Sequence, residues 1–233
     1  MTPNINESRT TDRTERMTRN SSQFWWSITI AVLVWATISW FQEGRFRFKP
    51  FVDPVWNQTP APLVMKGGDP YIRALMRTIS ASESNSTRPY SLLYGGEHIY
   101  DLSRHPDKCV TIVAGPNRGD CTTAAGRYQM LTTTWMRQAQ LYHPNSPMFF
   151  FWQDYSFEPQ YQDEVVYRWL SDPSAWGADL SQLLQAGRLD EVLYILSPTW
   201  TSLGYGIETN DMTSYLPEIY EEMLQEELRS ANQ

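Results

Sequence analysis

The sequence predicts an α+β domain, mostly helical with a small β-hairpin lobe, that is preceded by one N-terminal transmembrane helix. Three observations predict this organisation. An uncharged apolar run lies near the N-terminus, and a Pro-rich stretch follows it. Several later segments place apolar residues at helical spacing. Between the first two of these, residues 90–125 are rich in Gly, Tyr, Val, Ile and Thr with several turn signals, which is typical of hairpins.

The N-terminal part is expected to anchor the chain in a membrane. Residues 1–22 are polar, without periodicity, and are expected to be disordered. The apolar run within 23–42 is at the short end of the about 17–25 residues that span a bilayer, and Trp residues lie at both of its ends. A cleaved signal peptide is the alternative, but the run is longer than a usual signal core and no Ala-x-Ala site follows it.

Basic residues flank the anchor almost equally, with a slight bias toward an N-terminus inside the cell. They are Arg9, Arg13, Arg16 and Arg19 before it, and Arg45, Arg47 and Lys49 after it. We therefore expect a single-pass protein of the cytoplasmic membrane, with its main domain on the periplasmic, extracytoplasmic side. Residues 43–68 contain several prolines and Gly67-Gly68, and are predicted to be a linker.

Composition narrows the classes of partner. The net charge of -7 argues against nucleic-acid binding. The two cysteines, Cys109 and Cys121, enclose the turn Gly115-Pro116-Asn117 and could form a disulfide across a hairpin in an oxidising compartment. Two reduced cysteines in a cytosolic domain are the alternative. The sequence lacks the CxxC and His-rich spacing of a metal site, so no metal is predicted.

The main domain is predicted over residues 69–233. Asp69-Pro70 is a typical helix start, and the polar segment that ends at Pro89 stops the first helix near Glu83. Another helix is predicted to begin near Gly126. Further helices are predicted at about 159–171, 178–186, 188–196 and 214–230. The last one has an apolar side and an acidic side, interpreted as solvated, with Glu221, Glu222, Glu226 and Glu227.

Glu83 is the candidate catalytic residue. It continues the apolar stripe of the first helix, which consists of Ile72, Leu75, Met76 and Ile79. Partial burial and the negative end of the helix dipole both favour the protonated form of its carboxyl group. A carboxylic acid kept neutral near pH 7 is what a glycosidase uses to protonate a leaving oxygen. The structural alternative is a half-exposed Glu that caps nothing.

Three short segments together resemble the goose-type lysozyme and lytic transglycosylase superfamily. They are Ser82-Glu83-Ser84, the Gly-x-x-Gln element Gly126-Arg127-Tyr128-Gln129, and Gly204-Tyr205-Gly206. The run from Tyr94 to Pro106, YGGEHIYDLSRHP, and the run AAGRYQ that ends at Gln129 resemble the lambda-type phage lysozymes, a glycoside hydrolase family. This resemblance covers about residues 71–228. The family has Ser-Glu-Gly at the catalytic acid, whereas Ser84 stands here in the place of the Gly.

The resemblance implies a lysozyme-like fold and cleavage of the β-1,4 bond between N-acetylmuramic acid and N-acetylglucosamine in peptidoglycan glycan strands. It also implies a non-hydrolytic route, in which the muramic acid C6 hydroxyl attacks its own anomeric carbon and leaves a 1,6-anhydro sugar. That route needs one carboxyl group, Glu83, and no cofactor. By the same resemblance Ser84, Tyr128, Gln129 and Tyr205 are expected to bind substrate.

Two alternatives stay open from the residues alone. A hydrolytic muramidase would use a second carboxylate, for which Asp101 is the best candidate. The preferred interpretation of Asp101 is that it fixes a local turn with its side chain. An inactive, membrane-tethered peptidoglycan-binding module would use the same cleft without the chemistry. Gln129 and Tyr205 could likewise be a helix-start polar residue and a core tyrosine.

Overall fold

A computed structural model of the chain describes residues 59–115, 117–145, 154–205 and 212–232. The predicted disordered N-terminus, the anchor and most of the predicted linker lie outside these residues. Within the described part of the chain, no helix is long and apolar enough to cross a bilayer. The helices of this part are α1 Pro70–Glu83, α2 Thr132–Tyr142, α3 Pro159–Leu170, α4 Pro173–Trp176, α5 Leu180–Gln185, α6 Leu189–Leu196 and α7 Leu216–Ala231.

Helix α1 runs through the core. Asp69 caps it, because its Oδ1 accepts a hydrogen bond of 2.7 Å from the Tyr71 amide. The predicted apolar stripe is confirmed as buried: Ile72, Leu75, Met76 and Ile79 are each at most 1% exposed. Burying one such side chain stabilises the fold by about 1.5–3 kcal/mol. The last residue of α1 is Glu83, as predicted, and it is half-buried.

Helix α7 packs along α1, and its apolar side agrees with the prediction. The interpretation of its acidic side as uniformly solvated is wrong at Glu227, which is only 5% exposed. The Glu227 carboxylate pairs with Arg73 Nε at 2.6 Å and with Arg77 Nη1 at 3.2 Å. Two arginines of α1 therefore hold this charge inside, and the helical spacing of α7 alone could not reveal those partners.

The β lobe is small. Strands β1 Val110–Thr111 and β2 Cys121–Thr122 pair antiparallel, with Thr111 opposite Cys121. The predicted disulfide is present between Cys109 and Cys121, whose Cα atoms are 5.4 Å apart. The rest of the lobe consists of isolated bridges, a short 3-10 helix at Pro89–Ser91 and turns. The described residues thus form a helix-dominated fold with one two-stranded sheet.

The second predicted helix begins later than expected. The sequence pattern predicts a start near Gly126, but α2 begins at Thr132. Residues 125–130 form a closed turn instead, because Ala125 and Met130 exchange both backbone hydrogen bonds, at 3.1 and 3.0 Å. Gly126 and Gln129 have φ angles of +75° and +44°, which a right-handed helix excludes.

The last part of the predicted linker is bound to the domain. We call residues 60–67 the strap. Its backbone carbonyls accept hydrogen bonds from three arginine side chains, at Pro60 from Arg77, at Ala61 and Pro62 from Arg127, and at Met65 and Gly67 from Arg73. Leu63 and Met65 of the strap are buried. The strap is therefore ordered by the domain, although its proline content is also typical of a linker.

Candidate functional site

The site is built around the end of helix α1. A helix C-terminus carries a partial negative charge, and the last turn of α1 has no basic residue to offset it. An anion at Glu83 is thus disfavoured by the helix itself. The neighbouring Ser84 is the C-cap: its backbone N–H still donates to the Ser80 carbonyl at 2.8 Å, but its φ and ψ angles of -142° and 56° leave the helical region and end the helix.

A short 3-10 helix, Thr201–Leu203, supplies the contact to the Glu83 carboxyl group. The hydroxyl of Ser202 donates a hydrogen bond to Glu83 Oε1. The same hydroxyl lies 3.0 Å from Ser82 Oγ. Ser202 was not among the residues predicted for the site. The signal that could have found it is its position just before Gly204-Tyr205-Gly206.

Two hydrogen bonds fix the segment that carries Ser202. Thr213 Oγ1 donates to the Ser202 carbonyl at 2.9 Å. The indole N–H of the preceding Trp200 donates to the Tyr128 carbonyl at 3.0 Å, and Trp200 is buried. The 125–130 turn and the Ser202 segment are therefore tied to each other next to the end of α1.

The 125–130 turn braces the backbone beside Glu83. The Ser84 hydroxyl donates to the Arg127 carbonyl at 2.6 Å. Gln129 Nε2 donates to the Gly126 carbonyl at 2.9 Å and to the Leu92 carbonyl at 3.2 Å. Part of the Gln129 amide is thus committed to the turn, while its oxygen is the group with the chemistry to accept a hydrogen bond from a sugar N–H.

Two residues predicted to bind substrate lie inside the protein. Ser84 is 2% exposed and its hydroxyl is bonded to the turn. Tyr128 is 1% exposed and its hydroxyl donates to Asp163 Oδ1 at 2.7 Å. Burial raises the pKa of the Tyr128 hydroxyl well above its ordinary value, and the Asp163 carboxylate raises it further. Both side chains are thus buried, with their hydroxyl groups bonded within the fold, and their predicted contact with substrate stays a prediction.

Asp163 and Arg127 belong to a buried hydrogen-bond network at the 125–130 turn. Asp163 is fully buried, and its Oδ2 accepts from the Val64 amide at 2.7 Å and from the Tyr90 hydroxyl at 2.8 Å. Arg127 is also fully buried and binds the Tyr90 hydroxyl at 2.9 Å. Sequence patterns did not indicate this network, because its members come from distant segments.

Tyr205 and Asp101 lie on the surface. Tyr205 is 62% exposed, has a φ angle of +61° and packs edge-on against Tyr194 with ring centroids 5.5 Å apart. Asp101 is exposed, and its Oδ1 accepts a 3.0 Å hydrogen bond from the Ser103 amide. Hydrogen bonding by Ser103 lowers the pKa of the Asp101 carboxyl group. This agrees with the interpretation of Asp101 as a turn residue.

No group of three or more His, Cys, Asp or Glu side chains that could hold a metal ion occurs among the residues that the structure describes. The chemistry that these residues offer is that of a carboxyl group held by hydroxyl groups, with amide and aromatic groups in neighbouring turns. Such a set suits proton transfer to and from a bound sugar.

Comparison with solved structures gives two structures that resemble the chain. One is bacteriophage lambda lysozyme complexed with a chitohexasaccharide, at 26% identity, covering 68% of this chain and 97% of that chain with a TM-score of 0.49. The other is the lysozyme from bacteriophage lambda, at 23% identity, covering 70% and 97% with a TM-score of 0.46. Among curated proteins, none matches this chain.

A comparison with models of protein families identifies the family of the chain. The model of the family described as Endolysin matches residues 73–225, which is more than half of the chain. The match contains Glu83, the 125–130 turn and the Ser202 segment, and it ends within α7. It confirms the resemblance to phage lysozymes that the motifs predict. The chain belongs to the endolysin family and is a peptidoglycan-cleaving glycosidase.

Proposed function

We propose that the chain is a lytic transglycosylase that cleaves the β-1,4 bond between N-acetylmuramic acid and N-acetylglucosamine, with Glu83 as its only catalytic carboxyl group. The observation that carries this proposal is the environment of Glu83. The carboxyl group is half-buried, lies at the negative end of a helix and is held by the Ser202 hydroxyl. Such a carboxyl group can both give and take a proton.

The reaction then proceeds in two proton transfers. Protonated Glu83 gives its proton to the glycosidic oxygen while the bond from that oxygen to the muramic acid C1 breaks. The muramic acid C6 oxygen attacks C1, and the Glu83 carboxylate takes the proton that leaves the C6 hydroxyl. Glu83 is again protonated, and no water is consumed. An intramolecular nucleophile is favourable because effective molarities of well-oriented groups reach about 10⁵–10⁸ M.

The placement of Asp101 supports one carboxyl group rather than two. A hydrolase of the two-carboxylate type needs its second carboxylate at about 5–9.5 Å from the first, facing the sugar. The Asp101 carboxylate is instead exposed and engaged with the backbone of its own turn. Gln129, through its amide oxygen, and the exposed ring of Tyr205 are the groups we assign to substrate, the ring by stacking on a sugar face.

We also propose that residues 23–42 hold this domain at the cytoplasmic membrane, on the extracytoplasmic side that faces peptidoglycan. The support is the uncharged apolar run with Trp residues at its ends. The disulfide between Cys109 and Cys121 agrees with an oxidising compartment.

Digestion of purified peptidoglycan by the full chain, followed by mass spectrometry of the released sugars, tests the reaction. We expect 1,6-anhydromuramic ends from the wild type and at least a 10²-fold slower release from Glu83→Gln, because general acid–base catalysis contributes about 10²–10⁴-fold. Asp101→Asn is the matched control, an amide replacing a carboxylate at an exposed position, and should retain activity.

The products distinguish the alternatives. Reducing muramic ends would contradict the transglycosylase and indicate hydrolysis, and a loss of activity in Asp101→Asn would then identify a second carboxylate. Binding of peptidoglycan without any cleavage by the folded wild type would indicate a tethered binding module instead.

A further inference from the structure

Ser202 lies between two oxygen atoms that compete for its proton. Its hydroxyl reaches both Glu83 Oε1 and Ser82 Oγ, the second at 3.0 Å. A serine hydroxyl has one proton and can also accept hydrogen bonds. The hydroxyl therefore donates to one of these two oxygens at a time.

Ser82 is set up to accept rather than to donate. Its own hydroxyl donates to the Ile79 carbonyl at 3.0 Å, within helix α1. With that proton committed, the lone pairs of Ser82 Oγ point to other partners. Ser202 is 8% exposed, and its backbone is held by Thr213, so its choice of partner is made by rotation of the hydroxyl group rather than by movement of the chain.

We propose that Ser202 is a positioning residue that keeps the Glu83 carboxyl group hydrogen-bonded in both of its protonation states. When Glu83 is ionised, the Ser202 hydroxyl donates to the carboxylate. When Glu83 is protonated, its O–H donates to Ser202 Oγ, and the Ser202 proton turns to Ser82 Oγ. No covalent bond changes in this step, and Glu83 keeps its own proton until the sugar takes it.

This role rests on the proposed function, because a single carboxyl group that serves first as acid and then as base must stay oriented in both forms. A fixed donor such as a backbone amide favours the anion, because it binds a charged oxygen more strongly, and a fixed carbonyl can accept only from the acid. A rotating hydroxyl with its own acceptor holds both. Ser82 is thus the part of the arrangement that favours the protonated form.

Among the residues that the structure describes, several ionisable groups of the elements around Glu83 have other partners or lie at the surface. In the 125–130 turn, the Arg127 guanidinium is bonded to the strap and to Tyr90, and the Tyr128 hydroxyl is bonded to Asp163. Beyond the Ser202 segment, Tyr205 is exposed. On α1 itself, Arg77 is paired with Glu226 and Glu227 of α7.

The test is the titration of the Glu83 carboxyl ¹³C resonance in the full chain, assigned by its absence from Glu83→Gln. Ser202→Ala removes the hydrogen bond of both forms, and the charge-assisted bond to the anion is the stronger of the two, so the Glu83 midpoint should rise by about 0.5–1 pH unit. Ser82→Ala removes the acceptor that serves the protonated form, so the midpoint should fall. Opposite shifts are a signature that a general loss of structure does not produce.

Ser197→Ala is the matched control. Ser197 is also buried, and its hydroxyl donates only to the Tyr194 carbonyl among the bonds described, at 2.9 Å. This variant should leave the Glu83 midpoint unchanged, and Ser202→Thr, which keeps a hydroxyl group, should restore it. Folding of each variant is checked by thermal melting, which does not depend on the titration.

Shifts of the same sign in Ser202→Ala and Ser82→Ala, or no shift in either, would overturn the proposal. The result is independent of activity, so it can be read even if the wild type fails to cleave peptidoglycan and the proposed function is wrong. In an active enzyme, the limb of the pH–rate profile that belongs to Glu83 should move with the NMR midpoint in each variant.

Discussion

Gly126 occupies a position that a side chain would disturb in two ways. Its φ angle of +75° is unfavourable for other residues, and an added Cβ would lie 2.7 Å from Phe157 Cζ. We expect Gly126→Ala to lower the free energy of unfolding by about 2–4 kcal/mol, the sum of backbone strain and overpacking. Chemical denaturation measures this difference.

Gly177→Ala separates the two effects. Gly177 has a similar φ angle of +68°, but nothing lies within 4 Å of an added Cβ. Its substitution should cost only the backbone strain of about 1–2 kcal/mol. Equal losses in the two variants would show that Phe157 and Gln162 move aside and that the close packing of the turn is unimportant.

His105 makes stability depend on pH. Burial lowers the pKa of its imidazole below the ordinary value. The ring accepts from the Asp107 amide at Nδ1 and contacts the Met130 carbonyl through Nε2 at 2.9 Å, as the neutral form does. The unfolded chain therefore takes up a proton on this residue at a higher pH than the folded chain does.

The free energy of unfolding should fall as the pH drops through about 6.5, the ordinary pKa of histidine, and on to the lower folded-state pKa. Above about pH 6.5, the stability that comes from keeping His105 neutral is fully present. Denaturation at about pH 7.5 and about pH 5.5 should show a larger loss for the wild type than for His105→Gln, which does not titrate. Parallel losses would mean that other groups carry the pH dependence.

At the scale of elements, removing the strap tests whether its hydrogen bonds to the domain, which the sequence did not predict, stabilise the fold. A fragment that begins at Asp69 leaves the buried groups of Arg77, Arg127 and Asp163 without their strap partners. A fragment that begins at Thr59 keeps them. Because a buried group left unpaired costs about 1–3 kcal/mol, the shorter fragment should be several kcal/mol less stable.

Thermal melting of the two fragments beside the full chain measures this effect. The longer fragment should melt close to the full chain, and the shorter one well below it. Equal melting temperatures of the two fragments would show that the strap rests on the domain without stabilising it.

The helices were the most predictable elements. Apolar spacing, the Asp69 cap and the Pro residues at helix starts gave α1, α3, α5, α6 and α7 to within a few residues, because these signals are local. The short helix α4 was missed. The start of α2 was misplaced, because the positive φ angles of the 125–130 turn depend on packing against Phe157 and Gln162.

The part of the candidate site that local sequence signals mark could be predicted, and the rest could not. Glu83 is marked by its place on a helical stripe, which a sequence displays directly. Ser202 contacts it from a segment far along the chain, and Ser84 and Tyr128 are buried with hydroxyl groups bonded to Arg127 and Asp163, which are distant in sequence from Ser84 and Tyr128 respectively. Contacts between distant segments are set by the fold and leave no periodicity to detect.

At the scale of the whole molecule, α1 and α7 are the first and last α-helices of the described domain, and they pack against each other. The arginines of α1 reach both the strap and α7, through Arg77 to Pro60 and to Glu227. One side chain thus connects three parts of the chain, and of the residues involved the family match contains only Arg77.

We propose that the predicted anchor, residues 23–42, holds the whole protein at a membrane. We expect the full chain to sediment with membranes and to stay there after a high-salt wash, because an apolar helix is held by hydrophobic burial rather than by charge. Deletion of residues 1–58 should move the protein to the soluble fraction. Release of the full chain on membrane depolarisation would instead indicate a releasable anchor, and equal solubility of both forms would contradict the anchor.

The strap also has a mechanical consequence. It lies between the proposed anchor and α1, so in a tethered chain tension from the membrane would reach the strap before it reaches α1. Its carbonyls are held at Pro60, Ala61 and Pro62 by arginines from two different elements. Hydrogen bonds that share a load resist rupture better than bonds that break one after another. In a tethered chain, we therefore expect the strap to bear such tension and to protect the geometry around Glu83 from it.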